Sequence, residues 1–379
     1  MALQACFIAA TIEDVPLYNN SLRIMKFWSL LLRHNWRRYA NLIPYILITM
    51  SQFVDIYFSK EPMDAMIRNA YLAVLFFNTT FRAVVLCANR FEFEEFLERV
   101  RLLYNDLMKF EDIWVRKKLQ EITLAANSIS KVNLVMGTCS VISFLMYPLF
   151  ATTKVLPFGI YVPGVNKYES PFYEIFFLVQ IILAPIGCCM FIPFTNLMVA
   201  LLLFAILMCQ VLQRKLRHLK DLNSQEARET IVWCIKYQCQ LMRYVNTIND
   251  LTSYTFLVEF LAFGAMLCAM MFTLVTVETI SQMLLICIYI LMIFAQSSIL
   301  YYYANELYDE SMNVANAAFE SDWFNFDISN QKMLKLLILK AQQPSAIMVG
   351  HIYPMNLKLL QSLLNTTYTY FNLLRNVYN

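Results

Sequence analysis

Charge is scarce in this chain, and so are the residues that acid–base and metal chemistry need. Only 15% of its 379 residues are charged against 59% hydrophobic, and there are three histidines. A membrane enzyme needs clustered Asp, Glu or His inside its apolar segments, and the apolar runs here carry no such cluster. No CxxC pair and no His-containing ligand spacing is present, so neither metal nor cofactor is expected, and no nucleic-acid partner. Six glycines are too few for small-residue helix packing to dominate. The start, MALQACFIAATIEDVPLYNN, lacks a basic n-region and carries Glu13 and Asp14 close behind its short apolar run. It is a poor signal peptide, so insertion is expected to be directed by the first membrane helix. None of the ten cysteines falls in an expected outer loop, which excludes a disulfide framework.

What the chain has instead is a series of long apolar runs. Seven recur, over roughly 40–58, 68–88, 132–151, 172–212, 251–277, 281–303 and 355–377. About 20 helical residues cross ~30 Å of hydrocarbon, so the fold class is an all-α membrane protein with seven transmembrane helices. The fourth run exceeds one crossing and should protrude as a cytoplasmic extension. Of the 30 basic residues, 23 lie before the first run or in the 89–131, 213–250 and 304–354 connections. The alternate connections hold Lys60, Arg68, Lys154 and Lys167, with Arg375 near the end. The N-terminus is therefore expected inside and the C-terminus outside. A G-protein-coupled receptor has the opposite orientation, and its Asp/Glu-Arg-Tyr and Asn-Pro-x-x-Tyr landmarks are absent.

The inner connections have helical periodicity. In FEFEEFLERVRLLYNDLMKF, the residues Phe96, Val100, Leu103, Leu107 and Phe110 share one face, and several such extensions are expected to pack together beneath the membrane. Stretch 304–354 first continues the sixth span with Glu306, Asp309, Glu310, Glu320 and Asp322. A helix in NQKMLKLLILKAQQP follows, ended by Pro344. That splits the seventh helix. The organisation read from the chain is a ligand-binding six-span region over 1–303, cytoplasmic anchor helices for subunit assembly over 304–354, and a pore-lining helix over 355–379. Within span two, Arg82 is costly in hydrocarbon and is expected to pair with Glu259. A secondary transporter would show an internal repeat, and none is visible.

The segments ESMNVANAAFESDWF, LKLLILKAQQP and YPMNLKLLQSLLNTTYTYFNLLRNVY resemble the C-terminal third of an insect odorant receptor. The landmarks are Ala318, Trp323, Lys335, Gln343, Pro344, Asn356, Leu357, Tyr368, Tyr370, Phe371 and Leu373. The resemblance extends over the whole chain in length, span number and orientation, and is motif-specific only in this last part. Gustatory receptors, the alternative branch, end in Thr-Tyr, five apolar residues and Gln-Phe. Here Thr369-Tyr370 is followed by FNLLR and then Asn376-Val377, which favours the odorant branch.

Membership would imply an odorant-gated, non-selective cation channel in the plasma membrane of an olfactory neuron dendrite. The shared co-receptor has a large insertion between spans four and five that this chain lacks. The resemblance is therefore to a ligand-tuning subunit that forms a heterotetrameric channel with the co-receptor. It implies a pore stripe of Ser362, Thr366, Tyr370, Leu373 and Val377, which share one face of the last helix, the outer three matching the co-receptor's gate region. It also implies a pocket in the outer half of the bilayer between spans two, three, four and six. The matching positions are Phe76, Phe77, Thr80, Ser140, Ser143, Phe144, Tyr147, Ile181, Ile286 and Tyr289. Aromatic walls with a few hydroxyls suit a small volatile aromatic ligand of the indole or phenol type. Membrane lipid is the remaining expected contact.

Overall fold

Backbone polar groups in hydrocarbon must be satisfied within the segment, and the chain meets this with helices along nearly its whole length. The computed structural model describes all residues except 1–11, 13, 33–35, 59–60, 62, 147, 149–153, 278 and 379, and not the side chains of 37, 64, 220, 224, 377 and 378. The order is α1 (Asn19–Phe27), α2 (Arg37–Phe58), α3 (Met63–Ala88), α4 (Arg90–Met108), α5 (Ile113–Met146), α6 (Phe172–Arg217), α7 (Ser224–Thr276) and α8 (Ile280–Phe319). Then come α9 (Ile328–Ala341), a two-stranded hairpin of β1 (Met348–Val349) and β2 (Tyr353–Pro354), and α10 (Leu357–Tyr378).

At 1.5 Å per residue, the 46 residues of α6 and the 53 of α7 run roughly 70 and 80 Å. Each is more than twice the ~30 Å of a hydrocarbon core. The long fourth run is thus one helix that continues well beyond a single crossing. Five of the described helices, α3 and α5 to α8, are long and apolar enough to cross a membrane. Seven runs have the expected spanning length in the sequence. Helices α2 and α10 have the length but fall short in apolarity: α2 carries Asn41, Ser51, Gln52 and Asp55, and α10 carries Lys358, Gln361, Asn365, three threonines and Asn372.

Burial explains the first of these. Helix α2 is inverted relative to a water-soluble helix. Thr49, Gln52 and Asp55 are buried, whereas Ile43, Leu47, Met50, Phe53 and Tyr57 are exposed. The N-terminal part of α6 likewise exposes Phe172, Ile175, Leu178 and Ile182. Such surfaces are unfavourable in water and natural against lipid, where polar groups turn inward.

The apolar core lies along the C-terminal half of α6, where nearly every residue from Ile192 to Leu212 is buried. A helix apolar all round sits at the centre of its bundle, and α6 contacts α1, α3, α5, α7 and α8. Helix α4 packs against α3, α5 and α7 instead of standing alone. Of its expected stripe, Phe96, Val100 and Leu107 are buried, while Leu103 and Phe110 are partly buried against the core. Phe96 meets Tyr244, whose hydroxyl donates to the Leu201 carbonyl (2.9 Å).

Charge pairs tie these extensions together: Arg214 Nε to Asp112 Oδ2 (2.7 Å) and Arg217 Nε to Glu320 Oε2 (2.7 Å). The Arg214 hydrogen bond, with smaller help from the Trp114 amide and Lys215, outweighs partial desolvation and holds the Asp112 carboxyl below its ordinary range. The hairpin between α9 and α10 is pinned to α7. Asn249 donates to the Ala346 carbonyl (2.9 Å) and accepts from the Met348 amide (2.8 Å), while Ser253 accepts from the His351 amide (2.6 Å).

Candidate ligand cavity

Five long helices, with Tyr45 of α2, line a mainly apolar, partly open cavity of about 110 Å³. An apolar cavity of ~150 Å³ holds benzene, so this one, smaller by about a quarter, is on the scale of no more than a single small ring. Helix α3 contributes Leu72, Phe76, Asn78 and Thr79; α5 contributes Gly137, Ser140 and Phe144; α6 contributes Gly187, Phe191 and Thr195; α7 contributes Glu259 and Phe263; α8 contributes Tyr289 and Gln296. Tyr45 and Phe76 are stacked with centroids 5.1 Å apart. Gly187 makes room for that stack, because a Cβ there would come within 2.0 Å of the Tyr45 hydroxyl.

One side of the cavity is polar. Arg82, 2% exposed, forms an ion pair with Glu259, donates through Nη1 to Thr195 Oγ1 (3.0 Å) and lies 4.0 Å from the Phe191 ring centroid. The pairing matches the partner expected from sequence. Two further polar atoms belong to lining residues. The Tyr289 hydroxyl and Asn78 Oδ1 are buried, and neither has a hydrogen-bond partner among the described residues. Buried polar atoms in native proteins are nearly always paired, so the orphans offer a ligand one donor and one acceptor.

Of the residues named from sequence, Phe76, Ser140, Phe144 and Tyr289 line this cavity. Ser143 and Ile286 border a small adjoining space of about 20 Å³, beside Ser140, Phe144 and Tyr289. Thr80 is off the wall: its hydroxyl donates to the Phe76 carbonyl (2.8 Å) and meets Thr49 Oγ1 (3.0 Å), joining α3 to α2. Phe77 is 40% exposed and packs edge-on against Phe53. One residue is 100° of helix, enough to turn it away from the face that Phe76 occupies. Ile181 is 37% exposed on the outward side of α6. Tyr147 lies outside the described residues. Tyr45 and Glu259 lie on α2 and α7, outside the four spans expected to form the wall, whereas Asn78 and Phe191 lie on α3 and α6, within them, at positions not expected to face the ligand. A polar residue interrupting an apolar run was the available signal for Asn78 and Glu259.

Helix α10 buries Leu360, Leu363, Thr367 and Phe371 and packs on α7 and α8. Ser362, Thr366, Tyr370 and Leu373 flank that seam, with Tyr370 60% and Leu373 57% exposed, and border a groove of about 900 Å³ shared with α3 and α7. The side chain of Val377 lies outside the described residues. Exposed Lys358, Asn365, Thr369 and Asn376 form a more polar stripe beside it.

A bundle of long apolar helices, polar groups turned inward around a ring-sized cavity, defines a multi-pass helical membrane protein with a small-molecule site. The model of the 7tm Odorant receptor family matches residues 62–368. The chain is 51% identical to Odorant receptor 30a of Drosophila melanogaster, over 96% of this chain and 97% of that one. It is 39% identical to Odorant receptor 10 of Aedes albopictus, over 97% and 100%. Its fold is similar to the insect olfactory receptor OR5 from Machilis hrabei, solved in complex with eugenol, with a TM-score of 0.82 at 14% identity over 91% of each chain. The chain belongs to the odorant receptor family of insects and is a receptor, not an enzyme.

Proposed function

We propose that this chain is the ligand-tuning subunit of an odorant-gated, non-selective cation channel, working with the odorant receptor co-receptor in a heterotetramer. Its ligand is a small volatile aromatic bearing one hydrogen-bonding group. The observation that carries the reading is the ring-sized aromatic cavity with its two unpartnered polar atoms, Tyr289 hydroxyl and Asn78 Oδ1. Eugenol bound to the similarly folded OR5 supports an aromatic ligand. Residues 1–303 hold the ligand, 304–354 assemble subunits and 355–379 line the pore. Exposed Phe319, Phe324, Ile328, Leu336 and Leu339 near and on α9 support assembly there, since apolar surface of that extent calls for a partner. The polar and half-exposed face of α10 supports a water-filled path narrowed by Tyr370, Leu373 and Val377.

Expressed with the co-receptor, the chain is expected to give cation current to small aromatic odorants. Expressed alone, it should give none. Current without the co-receptor, or none with it across a broad aromatic panel, overturns the reading.

The topology is proposed as seven crossings, N-terminus inside and C-terminus outside, in the plasma membrane of the neuronal dendrite. The excess of Lys and Arg in alternate connections supports that orientation. A C-terminal epitope tag is expected to stain intact cells and an N-terminal tag only permeabilised ones; the reverse pattern sinks the orientation.

A further inference from the structure

The connection between α5 and α6 has no regular structure over 154–171, yet five consecutive residues, Leu156 to Ile160, are buried. Phe158 is 0% exposed. Its ring sits 4.7 Å from that of Phe76 and stacks at 6.1 Å on that of Phe144, and both of those rings line the ligand cavity. An irregular segment turns an aromatic inward only if its backbone polar groups are met by the protein, and here they are. Gln180, itself 0% exposed, donates to the Phe158 carbonyl (2.8 Å) and accepts from the Phe158 amide (3.1 Å). Ser51 does the same for Tyr161, accepting from its amide (2.9 Å) and donating to its carbonyl (3.0 Å).

A third fastener is ionic. Lys167 Nζ lies 2.6 Å from Asp55 Oδ1 and 2.8 Å from Glu61 Oε1, and the Tyr168 hydroxyl also donates to Glu61. Asn69 joins the same two carboxylates, at 3.3 Å to Glu61 and 3.5 Å to Asp55. Burial alone would raise the Glu61 pKa. The hydrogen bonds from Lys167 and Tyr168 and the charges of Lys167 and Arg68 outweigh it, so the carboxyl stays ionised below its ordinary range. The loop backbone presses on this cluster: a Cβ at Gly159 would come within 2.4 Å of Asp55 Oδ2 and 3.0 Å of Asn69 Nδ2.

We propose that the 154–171 loop is the roof of the ligand cavity, that Phe158 sets how large a ring substituent the cavity accepts, and that the Lys167 latch onto Asp55 and Glu61 keeps the roof closed over bound ligand. This rests on the reading of the cavity as the odorant site. Phe158 acts through ring contact with two cavity walls, so shortening it lengthens the space above the bound ring. Among the described residues Lys167 pairs with Asp55 and Glu61 and lies over the Tyr168 ring, none of which lines the cavity, so breaking its pairs alters how long the roof stays shut, not what fits beneath it.

The test is a dose–response series with 4-alkylphenols from methyl to butyl, recorded from the chain with the co-receptor. A direct co-receptor agonist reports the number of working channels. Phe158→Ala is expected to shift the optimum toward the longer substituents, with relative potency changing about tenfold, the low end of what one methylene is worth in an apolar pocket. Phe158→Leu, a smaller change that keeps the loop's apolar anchor, shifts it the same way by less. Lys167→Met is expected to speed current decay on washout severalfold with the order of odorants unchanged, and Lys167→Arg to restore slow decay. If the unaltered chain responds and neither the order in Phe158→Leu nor the decay in Lys167→Met changes, the roof is structural padding and the inference fails. If the unaltered chain gives agonist current and no phenol response, the odorant-site reading itself has failed.

Discussion

Replacing Arg82 with Met is expected to remove nearly all receptor from the cell surface, with odorant current lost in proportion. Arg82 is 2% exposed in the C-terminal part of α3, and its guanidinium meets Glu259 of α7, Thr195 of α6 and the faces of Phe191 and Phe194. Three helices converge on one side chain. Methionine fills much of the volume but leaves the Glu259 carboxylate buried without its counter-charge. Removing one partner of a buried pair costs roughly 3–5 kcal/mol, whereas replacing both by apolar groups is often neutral. Against a total stability on the order of 5–15 kcal/mol, the single change consumes a large share. The double variant Arg82→Met with Glu259→Met is therefore expected to regain most of the surface receptor, measured by labelling of intact cells. Arg82→Lys should fall between, since an ammonium keeps the charge but not the planar fork that reaches two partners while stacking on two rings. If Arg82→Met alone reaches the surface normally, the pair serves gating instead of folding.

That pair was legible in the sequence because an arginine inside an apolar run demands a partner, and few acidic residues lie within spans. Helix positions were legible for the same kind of reason: an apolar run of spanning length leaves the backbone few other choices. The weaker apolarity of α2 and α10 was hidden by their length. Their polar residues become intelligible only with burial, because Gln52 and Asp55 turn inward and Asn365 and Thr369 lie on the exposed side of α10.

The cavity was half legible. Phe76, Ser140, Phe144 and Tyr289 come together as neighbours, while Phe77 and Ile181 face outward, since a helical phase error of a single residue moves a side chain by 100°. The roof was not legible at all. Phe158 lies in a segment without periodicity, and what turns it inward is Gln180, 22 residues away, helped by Ser51, 110 residues from Tyr161. Local pattern carries no trace of such partners.

Tyr289→Phe separates ligand recognition from folding. The hydroxyl is buried on the cavity wall without a partner among the described residues, so its loss breaks no internal hydrogen bond and leaves the ring contacts with Phe144 and Tyr71 in place. Removing an unpartnered buried hydroxyl is neutral or mildly stabilising for the protein, because its desolvation is no longer a cost. For a ligand that accepts from Tyr289, the change removes a hydrogen bond worth about 1–1.5 kcal/mol. That is a loss of roughly five- to twelvefold in potency. A phenol with an acceptor oxygen is therefore expected to weaken by that factor at unchanged surface expression, while an alkylbenzene of the same size holds its potency or gains slightly. Asn78→Leu acts on the other orphan: it should weaken ligands that donate, such as a phenol, and spare the methyl ether of the same phenol, which has only an acceptor. The crossed pattern is what two separately placed polar atoms require. Equal loss for phenol, ether and alkylbenzene in both variants would mean that the side chains act only by shaping the wall, and would remove hydrogen bonding from the account of what this receptor selects.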